Sequence, residues 1–169
     1  MGILRNFDLS HFKMANCFLE TGSENGLGIE HAAKYKNLLE IHSVEINEKF
    51  YNFCKQKFKF SDKVKLWLGS SEDRMSDMIS SIEKYDSCIF WLDAHLPSDP
   101  GSRFLHDRVS NEIEFPLEAE LKIIKENRDV SKDYFIIDDL RIYIDGPFQH
   151  TGQSWPHRHL YPDFFPHKD

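Results

Sequence analysis

Five short apolar runs, separated by stretches of helical period, constrain this chain more than any other feature. The first run, residues 17–20, ends in the turn-rich segment Thr21-Gly22-Ser23-Glu24-Asn25-Gly26. A helix is predicted over 27–36, with Ile29, Ala32 and Ala33 inward. A second strand is predicted over 40–46, and Asn47 suits the N-cap of the helix after it. In that helix Phe50, Phe53, Cys54 and Phe58 recur at core-facing spacing. A third strand covers 64–68. Ser71 is placed as the cap of a helix carrying Met75, Met78, Ile79 and Ile82. The fourth strand, 87–94, is continuously apolar, as expected of a strand covered on both faces. Residues 96–114 read as a long loop. Pro116 then opens a helix carrying Leu117, Leu121, Ile123 and Ile124, and a fifth strand covers 134–137.

Strictly alternating strands and helices predict a parallel sheet between two helical layers, an α/β/α sandwich. The expected order is 3-2-1-4-5. The 169 residues are read as one domain, with 1–13 as a lead-in and 146–169 as an irregular tail.

In open parallel sheets, ligands bind beyond the carboxyl ends of the strands. Those ends read Glu20-Thr21-Gly22, Glu45-Ile46, Gly69-Ser70-Ser71, Asp93-Ala94-His95 and Asp138-Asp139. Four of the five carry a carboxylate, so a cationic or hydroxyl-bearing ligand, or a metal, is expected among them. Gly22, Gly26 and Gly28 do not complete a G-x-G-x-x-G, and Glu20 would repel a pyrophosphate. The same acid suits the positive sulfonium and amino groups of S-adenosylmethionine. Glu45, at the second strand end, stands where an acid grips ribose hydroxyls. By contrast, Glu114, Glu118 and Glu120 read as solvated charges that complement a helix N-terminus.

The pattern ETG…SVEI…LGSS…FWLDAH…PLEAEL…IIDDLR resembles the Rossmann-like class I S-adenosylmethionine-dependent methyltransferases. It also resembles a methyltransferase-like family found near sugar and polysaccharide genes. The resemblance covers residues 14–145 and implies a cofactor site at Glu20, Thr21, Gly22, Ser23, Gly26, Glu45, Ile46, Ser70, Ser71 and Asp93. The chain departs from the family at Ser70, where an acidic residue is usual, and in its short C-terminal end. Asp93, Asp138 and Asp139 further resemble the ligands of metal-dependent catechol and sugar O-methyltransferases. That likeness implies Mg²⁺ at the three aspartates, orienting an acceptor diol, and His95 as general base.

The implied function is methyl transfer to an oxygen of a small-molecule or glycan acceptor. Two alternatives stay open: another S-adenosylmethionine-using enzyme, such as a lyase or aminopropyl transferase, or a non-catalytic binding or assembly domain. Asp138-Asp139 could also merely end a strand and pair with Arg141, and His95 could serve only a backbone hydrogen bond. A net charge of −7 argues against nucleic acid as a partner. No run suits a secretion signal or a membrane span, and three unpaired cysteines suit a reducing, cytoplasmic setting. Aromatic residues in the tail would suit a homo-oligomer contact.

Overall fold

The computed structural model describes residues 7–94 and 116–138. By internal contacts the chain divides into two units, 1–136 and 137–169; of the second, only Ile137 and Asp138 are described. The elements are β1 (Cys17–Thr21), α1 (Leu27–Ala33), β2 (Glu40–Glu45), α2 (Glu48–Lys57), β3 (Val64–Leu68), α3 (Ser71–Ser81), β4 (Cys88–Leu92), α4 (Leu117–Asn127) and β5 (Tyr134–Ile137). They form a five-stranded parallel sheet in the order β3-β2-β1-β4-β5, the α/β order expected from the alternation.

The sheet is built outward from β1. Cys17 to Thr21 pair in register with Glu40 to Val44 of β2 on one side and with Cys88 to Leu92 of β4 on the other. Every residue of β1 and β4 is buried. Side chains alternate across a strand, so each strand has two distinct faces. Phe18, Ile41, Ile89 and Trp91 share one core with Ile29 and Ala32 of α1 and Cys54 of α2. The opposite face of β1 carries Cys17, Leu19 and Thr21, and there α3 packs against α4. Met75, Met78 and Ile79 of α3 and Leu117 and Ile124 of α4 are buried.

The helix ends follow from local chemistry. The Asn47 side chain accepts hydrogen bonds from the backbone N–H groups of Lys49 (2.9 Å) and Phe50 (3.4 Å), capping α2 as expected. Ser70, not Ser71, caps α3 by accepting from Asp73 N at 3.2 Å. Helix α1 stops at Ala33 rather than at 36. Asn37 donates to the Ala15 carbonyl at 2.9 Å and draws the chain back towards β1. Ala33 is exposed and His31 buried, because His31 bonds to the Phe7 carbonyl at 2.8 Å. Phe53 is 53% exposed rather than in the core, since only Cys54 of α2 is fully buried. A buried ion pair ties the start of β5 to β4. Arg128 donates to both oxygens of Asp133 (2.7 and 3.0 Å) and to the Tyr85 carbonyl (2.7 Å), and Asp133 accepts from Cys88 N at 2.8 Å.

The central position of β1 has a measurable consequence. Truncating Phe18, which is fully buried, to Ala is expected to remove about 3–5 kcal/mol of unfolding free energy in urea. Phe60→Ala, at a side chain 91% exposed, is expected to change it by less than about 0.5 kcal/mol.

Candidate functional site

On the α1/α2 side of the sheet, each inner strand turns from apolar to polar as it nears its carboxyl end. Phe18 gives way to Glu20, Ile41 to Ser43 and Glu45, and Ile89 and Trp91 to Asp93. Polar side chains are thus gathered at one edge by nothing more than strand alternation and parallel register.

Glu20, Ser43 and Ser23 form a chain. Ser43 Oγ donates to Glu20 Oε2 at 2.6 Å, and Ser23 Oγ lies 2.6 Å from Ser43 Oγ. Ser43 has one hydroxyl proton, so Ser23 is the donor in the second bond. When Glu20 itself carries a proton, the two hydroxyls can reverse direction. Burial pushes the Glu20 carboxyl up to about 8, against the pull of the Ser43 bond. The charges of Asp93, Glu45 and Glu24 push it the same way as burial. At neutral pH Glu20 is therefore largely protonated.

Glu45 holds the loops on either side of it. Its Oε2 accepts from Glu24 N at 2.7 Å and its Oε1 from Asn47 N at 2.8 Å. Burial raises its pKa, and these N–H donors oppose the rise. The Ile46 backbone N–H also favours its charged form, and the carboxylate keeps acceptor capacity for a further donor. Ile46, half-buried, follows directly.

The turn after β1 is shaped by its glycines. Gly22 has φ +87°, and a Cβ there would stand 3.3 Å from the Asp93 carbonyl oxygen. Its N–H donates to the Val44 carbonyl at 3.0 Å. Gly26 has φ +75°, and its Cβ would stand 2.6 Å from the Phe58 ring. Only glycine adopts this conformation at low cost, and only glycine fits. Thr21 locks the turn to β4. Its Oγ1 accepts from Asp93 N (3.1 Å) and Ala94 N (3.2 Å). Trp91 Nε1 lies 3.4 Å from Asp93 Oδ2.

Glu120 of α4 joins this edge from the other face, which corrects the expectation of a solvated charge. It is 1% exposed. The Ser71 and Thr21 hydroxyls donate towards its carboxyl, while burial and the charge of Glu72 push its pKa up to about 7. Its Oε1 has no hydrogen-bond partner, and neither has the buried Oδ1 of Asn25 in the glycine turn. Both orphan atoms are acceptors. Thr21 can serve three partners because its oxygen takes two N–H bonds while its proton remains to be given.

The structure thus brings together Glu20, Thr21, Gly22, Ser23, Glu45, Ser71 and Asp93. Ser70 is near them in sequence, and its hydroxyl caps α3 while keeping its own proton to give. His95 and Asp139 lie outside the described residues, and Asp138 belongs to the second unit. Among the described residues, no group of three or more His, Cys, Asp or Glu could hold a metal. None of their helices is long and apolar enough to cross a membrane, and all three cysteines are free and buried. Sequence reasoning missed Ser43 and Glu120. Glu120 could have been found from its place on the stripe Leu117, Glu120, Ile124, an acid at core-facing helical spacing.

No family model and no curated protein matches the sequence. Solved structures do match its fold. One, from Staphylococcus aureus and assigned as a caffeoyl-CoA O-methyltransferase, superposes with a TM-score of 0.51 at 14% identity, over 92% of this chain and 65% of that one. Another, the methyltransferase domain of a bacterial CtHen1 protein, gives a TM-score of 0.44 at 15% identity, over 70% of this chain and 55% of the other. The chain spans less than two thirds of either structure.

The acids make stability depend on pH. Glu20 binds its proton more tightly folded (about 8) than unfolded (near 4.5), so the folded state holds more protons between those values. Stability from this group is full below about 4.5 and is lost as pH rises through about 8. Urea unfolding free energy is expected to fall across that window. Glu20→Gln is expected to flatten the fall by up to about 1.4 kcal/mol per pH unit. An unchanged slope in the variant would show that Glu20 is ionised in the folded protein.

Proposed function

We propose that this chain binds S-adenosylmethionine across the carboxyl edge of β1, β2 and β4 and transfers its methyl group to an oxygen of a small or sugar-like acceptor. One observation carries the reading. Glu20 is buried at that edge, and the neighbouring charges that act on it, those of Asp93, Glu45 and Glu24, are all acidic. Such a site disfavours a phosphate and favours a cationic, donor-rich ligand. The unpartnered acceptors at Glu120 and Asn25 fit the same kind of ligand.

When bound, the cofactor supplies an electrophilic methyl on a positively charged sulfur. The chain's own residues do the rest. Gly22 lets the backbone approach the ligand closely, and Ser23 and Ser43 steady Glu20 in either protonation state. Glu45 offers its remaining lone pairs to the ribose hydroxyls. Ile46, Ser70 and Ser71 flank the adenine side, with Gly26 fixing the entry to α1. Asp93 stands on the acceptor side, where His95 would take the acceptor's proton. The acceptor is an oxygen in keeping with the assignment of the Staphylococcus aureus structure.

A cation at this edge favours ionised Glu20, so ligand binding expels a proton. Calorimetric titration with S-adenosylmethionine is expected to show net proton release at pH 7. The affinity should tighten from pH 6 to 8, by up to about tenfold per unit. No heat and no thermal shift at millimolar cofactor would sink the proposal. S-adenosylhomocysteine formation separates the remaining readings. A methyltransferase makes it, whereas a lyase, an aminopropyl transferase or a binding domain does not. The Mg²⁺-assisted form has its own test. Turnover lost to EDTA and restored by Mg²⁺ supports a metal, and turnover indifferent to EDTA removes it.

A further inference from the structure

The turns that lead into β1, β2 and β3 carry the three most exposed large apolar side chains among the described residues: Met14 (73%), Leu39 (58%) and Phe60 (91%). One such residue alone is ordinary, but three on one edge mark a surface that is covered in use. Because the strands are parallel and lie in the order β3-β2-β1, these turns stand side by side at the amino edge of the sheet, opposite the candidate site. Hydrogen bonds tie them together. Leu39 N donates to the Asn16 carbonyl at 2.7 Å, Ile41 N to the Lys63 carbonyl at 2.9 Å, and Lys63 Nζ to the Tyr35 carbonyl at 3.0 Å. Charge is as uneven as polarity. Residues 12–16, 34–39 and 58–63 hold five lysines against one aspartate, Asp62, in a chain of net charge −7. Lys13, Lys34, Lys36 and Lys59 are exposed, and among the described residues none of them forms an ion pair. Lys13 adjoins Met14, Lys36 precedes Leu39 by three residues, and Lys59 Nζ lies 4.9 Å from the centre of the Phe60 ring. Glu40, the acid after Leu39, is engaged by Lys84 at 3.0 Å.

We infer that this amino edge docks on a bilayer surface that contains anionic lipids. Phe60, Leu39 and Met14 enter the headgroup region, and the lysines around them meet the lipid charges. Apolar tips beside lysines combine apolar burial with attraction to negative charge, the two signals that together hold a protein on a membrane without spanning it. No spanning helix is required, and none of the described helices could serve as one. A second copy of the chain fits the edge less well, since a two-fold axis would set these lysines against their own counterparts. A nucleic acid would suit the lysines, but Met14 and Leu39 offer no ring face on which a base can stack. The position also suits a bilayer. With the amino edge docked, the carboxyl edge faces water and the candidate site stays open, whatever that site binds.

The test is co-sedimentation of the full chain, with no cofactor added, with phosphatidylcholine vesicles and with vesicles that also hold about 30% phosphatidylserine. Binding to the anionic vesicles is expected to be at least about tenfold tighter and to weaken as salt is raised. Lys36→Ala with Lys59→Ala is expected to weaken it at least about tenfold, at roughly fivefold per lysine near the surface. Lys49→Ala with Lys122→Ala removes the same charge from the start of α2 and the middle of α4, away from the amino edge, and is expected to leave binding within about twofold. Phe60→Ala keeps every charge and is expected to weaken binding at least about fivefold. All five altered side chains are exposed, so urea unfolding of each variant is expected to match wild type. No preference for the anionic vesicles would overturn the inference. So would an equal loss in the two lysine pairs, or Phe60→Ala that binds like wild type. A dimer in light scattering that Phe60→Ala dissolves, or tight binding of a single-stranded RNA that is lost with Lys36 and Lys59, would also overturn it by giving the edge to another occupant.

Discussion

Parallel pairing of β1 with β2 on one side and β4 on the other is the constraint on which the rest depends. It buries β1 along its whole length and brings three strand ends to one level. Because side chains alternate, that register also decides which residues meet. Phe18, Ile41 and Ile89 meet in the core, and two residues further on Glu20 and Ser43 meet at the edge, with Trp91 of β4 level with them and still in the core. The core and the polar edge are thus two ends of one pattern. A slip of one residue in any of the three strands would exchange the faces and destroy both.

The edge runs against ordinary packing. Buried carboxyls are stabilised when paired with a cation or when many donors surround them. Glu45 follows the second course, with an N–H on each oxygen. Glu20 and Glu120 receive hydroxyl bonds and stay partly neutral instead, at about 8 and about 7. A positive group brought beside either would favour its ionised form. A site of this kind holds back its charge until the ligand is present, which couples binding to proton release and ties affinity to pH.

Much of this was legible in the sequence. Each strand appears within a residue or two of where the apolar runs put it, and the signal is plainest for β1 and β4, which are buried along their whole length. The acids at the strand ends were legible for the same reason. Position after an apolar run is a one-dimensional fact. What stayed hidden depends on three dimensions. Ser43 is an unremarkable strand residue until β1 and β2 are aligned and it faces Glu20. Glu120 passed for a charge at a helix start because Glu118 beside it is exposed. The spacing to Leu117 and Ile124 is the signal that sets it apart. Phe53 misled in the opposite sense. Its spacing suits a core stripe, but α2 buries only Cys54 fully, and Lys57 covers the Phe53 ring at 5.7 Å instead.

An edge of buried, partly neutral acids is proposed as the seat of a cationic ligand. The most direct measurement is a ¹³C NMR titration of the glutamate side-chain carboxyls, with and without S-adenosylmethionine. The expected result is a Glu20 signal, identified by its loss in Glu20→Gln, that titrates near 8 in the free protein and moves clearly lower once the ligand is bound. A Glu20 that titrates in the ordinary glutamate range without ligand, or that does not respond when ligand is added, would contradict the account.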